Sequence, residues 1–274
     1  MPKIIRLGQP RNLFPLVLAF FLVLEIPALF SSDVIPSDNI QKEIIASLES
    51  NASALGVFKA SVEIGVPNSA SPLIQWVNGL VAYRKNPEFL YLKGYKPLVP
   101  LYFLLISRNG RFSLFFPRSY KVYTGENSVL EQDPDLAVTL IAQDIIDALA
   151  LEQIDPSLPI EWLSEDKGYR LTFRNSNGQV DRELTLDAAY HVRRSVHYNQ
   201  AGFSDLEITR NDWRSIKGRI SFPFKIKIKR FLPKPNDLII RFKEIRTDED
   251  LGPEITDYPF PKDATYVELR EGGV

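Results

Sequence analysis

Only two histidines, His191 and His197, are available for acid–base work or metal binding. Tyr190, Val192, Val196 and Tyr198 alternate there with His191, Arg193, Ser195 and His197, which predicts both histidines on one outward strand face. A metal site needs closer spacing and more ligands, so two exposed strand histidines are expected and no metal or cofactor. The chain has no cysteine, which removes thiolate nucleophiles, zinc–thiolate centres and disulfides. It also lacks a Gly-x-Ser-x-Gly elbow and a glycine-rich phosphate loop. The carboxylate pairs Asp133/Asp135 and Asp144/Asp147 fall where helix caps and solvated helix faces explain them. No nucleophile–base set can be assembled, so a hydrolase is disfavoured and a non-enzymatic role is expected.

The chain offers apolar faces and one basic patch instead. Phe224, Ile226 and Ile228 alternate with Lys225, Lys227 and Lys229, and Leu238, Ile240 and Phe242 alternate with Arg241 and Lys243. Arg219 and Arg230 are close by in sequence. Five basic side chains on the outward faces of two paired strands would suit anionic headgroups or an acidic partner. They equally suit a solvated face that blocks edge aggregation. The net charge of −1 gives no field that points to nucleic acid.

Those side chains need a scaffold, and the pattern predicts a β-rich one. The 274 residues are 45% hydrophobic and 24% charged, the balance of a globular chain with a sizeable core. From Gly79 to Glu126 short runs rich in Phe, Tyr, Leu and Val are joined by turn dipeptides, Asn86-Pro87 and Asn109-Gly110. Leu101 to Ile106 is apolar throughout and must be covered on both faces, by protein or by a lipid-like ligand. Phe58, Ala60, Val62 and Ile64 alternate with Lys59, Ser61 and Glu63 in a first strand. Tyr169, Leu171 and Phe173 alternate with Arg170, Thr172 and Arg174 in a later one.

Two helices stand out. One starts at Asp38, read as an N-cap with Gln41 as its capping-box partner, and carries Ile40, Ile44, Ile45 and Leu48 on one face. The other starts at Asp133-Pro134 and runs toward Pro156, with Leu140, Ile141, Ile145 and Leu149 on one side and Asp144, Asp147 and Glu152 on the other. About ten strands and two helices predict a mainly β (α+β) fold. A sheet that wide curls, giving a strongly curved antiparallel half-barrel, unclosed, with helices covering its concave face.

Residues 1–33 form a separate segment, and 34–274 the folded domain. Lys3, Arg6 and Arg11 precede an apolar run, Leu13 to Phe30, broken by Pro15, Glu25 and Pro27. This is an export signature, either a cleaved signal peptide or an uncleaved anchor. Three basic residues would hold the N-terminus inside, so the domain is expected outside the cytoplasm, in the periplasm.

The order of these features resembles a known superfamily. Gly79-x5-Lys85-x-Pro87 is followed by aromatics, and Ser107-Arg108-Asn109-Gly110 precedes a Phe-rich run and Pro117. Asp212-Trp213-Arg214, Gly218-x4-Pro223 and Tyr258-Pro259-Phe260-Pro261 come later. From Ile40 to Leu269 the chain resembles the LolA/LolB-type outer-membrane lipoprotein carriers. That resemblance implies an unclosed barrel that shelters lipid or lipoprotein acyl chains under a helical lid. Tyr169, Leu171, Phe173, Phe224, Ile226, Ile228, Leu238, Ile240 and Phe242 then line either a ligand cavity or an ordinary core. Ile141, Ile145 and Leu149 become the lid residues. The periplasmic carriers have Lys-Arg-Pro where this chain has Arg84-Lys85-Asn86-Pro87, so Arg84 is the candidate latch and the family's arginine position holds Asn86. A membrane-tethered scaffold that binds a protein partner with the same fold is the second reading.

Overall fold

A computed structural model describes residues 34–68, 71–128, 142–155, 159–218, 220–232 and 235–270. Residues 1–33, read as an export segment, and the expected helix start at Asp133-Pro134, with Ile141 and Arg219, lie outside these residues. One helix, α1 (Asp38–Ala54), precedes six strands: β1 (Val57–Asn68), β2 (Ser71–Arg84), β3 (Phe89–Lys96), β4 (Val99–Arg108), β5 (Arg111–Phe116) and β6 (Lys121–Glu126). Helix α2 (Ala142–Leu149) follows. Then come β7 (Ile160–Glu165), β8 (Gly168–Arg174), β9 (Val180–Asp187), β10 (Val192–Tyr198), β11 (Ser204–Ile216), β12 (Ile220–Arg230) and β13 (Asn236–Thr247). A single turn, α3 (Pro253–Thr256), and β14 (Thr265–Glu268) complete the chain.

All fourteen strands form one sheet, in the order β14-β6-β5-β4-β3-β2-β1-β13-β12-β11-β10-β9-β8-β7. Its two edges, β14 and β7, do not meet, so the barrel is unclosed. Every described pairing is antiparallel except β14 against β6, which is parallel. The sequence expectation of about ten strands omits β7 and β14.

The alternation read from the sequence sets the inner face. Phe58, Ala60, Val62 and Ile64 are all buried there. They continue across the sheet in register, as in the row Ile226, Ile240, Ile64 and Val77. Gly79 and Gly94 pair directly, and a Cβ on Gly94 would lie 2.3 Å from the Phe103 ring. A side chain at Gly94 would therefore displace an aromatic of the core. At the β4–β5 turn Asn109 (φ 54°) and Gly110 (φ 76°) both take positive φ, as a two-residue hairpin requires.

Three clusters cover the sheet. The largest joins β1–β6 and β11–β13 to Ala142, Ile145, Ile146, Ala148 and Leu149 of α2. A second, under α1, joins Ile44, Leu48 and Ile154 to Leu171, Phe173, Leu184, Leu186 and Val192. The third is on the opposite, outer face. There Ala82, Phe89, Tyr91, Leu104, Ile106, Phe115 and Val122 are covered by Leu251, Ile255 and Ala264, with Tyr258 and Phe260 packed beside them. Within the apolar run Leu101–Ile106, the stretch Phe103–Ile106 is covered by protein on both sides, with Phe103 and Leu105 facing inward and Leu104 and Ile106 outward, while Tyr102 stays exposed.

Candidate functional site

The mid-chain helix sits on the inner face with an apolar underside and a charged flank. Ile145 and Leu149, two of the expected lid residues, are fully buried against the strands. The flank is not solvated as its sequence pattern suggests. Asp144 is 5% exposed and takes both its hydrogen bonds from Arg230 of β12, one of 2.6 Å from Nε and one from Nη2. Burial pushes the Asp144 carboxyl above the usual range, even against the pull of Arg230. Asp147 is also pushed up, by burial first, while Gln143 and His197 pull the other way.

Arg210 of β11 holds the helix end. Its side chain is 1% exposed. It donates to Ser195 Oγ at 3.0 Å and to the carbonyls of Asp147 (3.0 Å) and Ala150 (3.5 Å) at the helix exit. Cations at helix C-terminal carbonyls are favourable because the carbonyl dipoles converge there. Glu152 lies 3.5 Å from Arg210 and bonds Arg182 of β9 at 2.9 Å. Arg182 also stands over the Phe173 ring at 4.5 Å. Tyr83, on the inner face of β2, is pushed up to about 12 by burial, then by Glu88 and Asp147.

The inward role of these arginines is absent from the sequence reading, yet a signal for it is present. Arg210 shares strand parity with Leu206 and Ile208, Arg230 with Ile226 and Ile228, and Arg182 with Leu184 and Leu186. Each is a charge at a core-facing position, which demands a buried partner. Arg230, grouped in sequence with the basic patch, therefore points the other way. Arg84 stays local, donating to the Pro87 carbonyl at 3.1 Å and standing 5.6 Å from the Phe89 ring. The grip on α2 comes from Arg210 and Arg230, with Lys85 adding a bond to Gln153 at 2.7 Å.

The nine expected cavity residues divide between the helices. Phe224, Ile226, Ile228, Leu238, Ile240 and Phe242 pack in the cluster under α2, and Tyr169, Leu171 and Phe173 in the cluster under α1. Lys225, Lys227, Lys229, Arg241 and Lys243 do face outward, but much of the charge is balanced. Lys227 pairs with Asp237 and Lys243 with Glu63, each at 2.9 Å. Arg241 lies 4.0 Å from the Trp76 ring and Lys229 4.5 Å from Phe231. Gln41, expected in a capping box, instead reaches back to the Pro36 carbonyl at 2.9 Å.

The histidines depart from their expected place because β10 has a bulge between Val192 and Arg194. The extra residue resets strand parity. Both rings are half-buried. His197 pulls on the carboxylates of Asp144 and Asp147. His191 stacks on Trp213 (4.7 Å, 12°) and bonds Asp187 at 3.2 Å and Ser221 Oγ at 2.8 Å. The order Ser–His–Asp is that of a hydrolytic relay. The neighbouring cavity, lined by Leu48, Asn51, Arg210 and Trp213, measures about 10 Å³, room for one water and no acyl group. The chain of bonds fits a joint tying the β9–β10 turn to β12, with Asn51 of α1 accepting from the Ser221 backbone at 3.0 Å. A larger polar groove of about 630 Å³ lies on the outer face beside Arg108, Arg111, Asp257 and Tyr258, away from α2.

Most of the large exposed hydrophobic groups gather at one rim; Val34 and Ile35, beside Ser164 near the β7–β8 turn, are exposed at the other. The turns β1–β2, β3–β4, β5–β6, β10–β11 and β12–β13 share the first rim because their strands alternate in direction. Leu98 there is fully exposed at φ 67°, with Tyr95, Val99, Tyr102, Tyr120, Phe203 and Leu232 also exposed.

Searches with the sequence find no matching family profile and no matching curated protein. Solved structures do match. A domain named for outer membrane lipoprotein sorting, from Vibrio parahaemolyticus, aligns with a TM-score of 0.54 at 13% identity over 78% of this chain and 95% of that one. A LolA superfamily protein from Nitrosomonas europaea aligns at 0.52 and 14% identity, over 81% and 97%. A DUF1329 family protein from Desulfovibrio piger aligns at 0.53 and 12%, over 79% and 95%. The chain has the LolA-type fold, as its motifs suggest; identities this low establish the fold alone.

Proposed function

We propose that the protein carries lipid, or the acyl chains of lipoproteins, through the cell envelope, without catalysing a reaction. The observation that carries this reading is α2: a short helix seated on the concave face of a LolA-type sheet by apolar contacts and held at its flank by arginines. Such a cover can be exchanged for hydrocarbon. Each buried CH₂ contributes about 0.8 kcal/mol, so roughly ten methylenes supply ~8 kcal/mol, enough to offset lifting a helix of this size. Ile226, Ile228, Leu238, Ile240 and Phe242 then form the wall along the chain, and Ile145 and Leu149 the lid face.

The exported segment 1–33 would deliver the domain to the periplasm. No helix among the described residues is long and apolar enough to cross a membrane. The rim that carries Leu98, Val99, Phe203 and Leu232 would meet the membrane surface, with Tyr95 and Tyr102 at headgroup level. A tethered domain that docks a protein partner is favoured less, because the charged seam lies under α2 rather than on an open face.

Mass spectrometry of the full chain purified from envelope membranes, intact and after organic extraction, tests the proposal. Stoichiometric co-purifying lipid or lipoprotein supports it. A protein that emerges empty and stays empty when offered lipid vesicles contradicts it.

A further inference from the structure

An acyl tail needs only an apolar wall, yet the wall beneath α2 carries cations. Arg182, His197 and Arg230 fall in one row of the sheet, linked in register through Leu206. That row lies next to the β8–β9, β10–β11 and β12–β13 turns, at the rim where the exposed apolar side chains gather. Arg210 sits four residues deeper along β11 and is wholly buried. In the closed form the counter-charges come mainly from α2 and its exit: Asp144 on Arg230, and Glu152 on Arg182 and Arg210. Asp205, 4.0 Å from Arg230, is a looser partner from β11.

When α2 lifts, the carboxylates leave with it and the guanidiniums stay in the wall. A guanidinium covered by hydrocarbon with no counter-ion is strongly disfavoured, whereas phosphate or carboxylate oxygens restore charge-assisted, bidentate bonds. The acidic flank of α2 therefore occupies the place of a headgroup. We infer that the cavity selects anionic amphiphiles, with acyl chains along the floor and a phosphate or carboxylate headgroup against Arg182 and Arg230 near the rim, on the side where Glu152 now bridges Arg182 to the deeper Arg210. This rests on the carriage reading and specifies its ligand.

The test is native mass spectrometry of the full chain with equimolar mixtures of dioleoylphosphatidylglycerol, the carboxylate lipid dioleoylglycerosuccinate and dioleoylglycerol in detergent. The expected result is occupancy by the two anionic lipids about tenfold above the neutral one at matched chains. Whichever of the two anions wins identifies the headgroup as phosphodiester or carboxylate. Arg230→Gln should bring the anionic-to-neutral ratio toward one, and Asp144→Asn should raise anionic occupancy. If Arg230→Gln does not fold, Arg182→Gln in the same row reads the same ratio. Equal occupancy by dioleoylglycerol overturns the inference and leaves carriage standing. Occupancy by none of the three overturns both.

Discussion

Two covers lie on the two faces of the same sheet, and they are built differently. The outer cover, residues 251–264, meets β2–β6 through Leu251, Ile255, Tyr258, Phe260 and Ala264 in an apolar cluster, and its chain continues into β14, hydrogen-bonded to β6. The inner cover, α2, joins the inner-face cluster through Ile145, Ile146 and Leu149, but its other flank is closed by Asp144–Arg230 and the Arg210 contacts. Apolar contact has no alternative partner but another apolar surface, and the outer face is fastened by the sheet itself. Buried ion pairs do have an alternative: any ligand with matching charge. On the proposed reading, the outer cover is permanent structure and the inner one is a seam that can open.

The largest effect is expected on the permanent side. Leu104→Ala, at a fully buried outer position, should cost about 3 kcal/mol of global stability by denaturant unfolding and leave the lipid occupancy of the folded protein unchanged. Next, Arg230→Gln should ease opening of α2 by about 2 kcal/mol, less than for a fully buried pair because the Arg230 side chain is 17% exposed. The double replacement Arg230→Met with Asp144→Leu should recover most of that, as no lone charge remains. Amide exchange of residues 142–149 measures both. Leu98→Gly should raise stability by up to ~1 kcal/mol, since the residue sits at φ 67°, and should weaken binding to anionic vesicles.

The smallest effect is on pH. Burial raises Asp144 and Asp147 above the ordinary carboxylate range in the closed form. Between about pH 4 and those raised values, closed α2 binds more protons than opened α2. Closure is therefore favoured as pH falls through that window and weakens as pH rises. Asp147→Asn should flatten part of this slope, read from exchange of α2 corrected for intrinsic rates.

The sequence made the architecture legible wherever alternation was clean. Phe58, Ala60, Val62 and Ile64 point inward as their period predicts, and the apolar run Leu101–Ile106 announces a strand that is covered twice from Phe103 to Ile106. It did not say what the outer cover is, because residues 251–264 touch the sheet through scattered side chains with no period of their own. The four-residue β14 is too short to carry a pattern. At the site, Ile145 and Leu149 were readable as a helical apolar face. The arginines were legible only as parity violations, charges at Arg182, Arg210 and Arg230 where the strand period calls for core. The bulge at Arg193 hid the true direction of His197, since a single extra residue reverses every later side chain. Arg84 drew notice through its motif position, but the partner that fixes a latch is set by tertiary contact, and the Arg84 contacts are with Pro87 and Phe89.

The most direct measurement is hydrogen–deuterium exchange of the full chain with and without dioleoylphosphatidylglycerol, comparing residues 142–149 with residues 251–264. If α2 is a lid, it exchanges through a local opening well below the global unfolding free energy and speeds up when lipid enters, while the outer cover stays protected throughout. Equal protection of the two covers, unchanged by lipid, would contradict the lid reading.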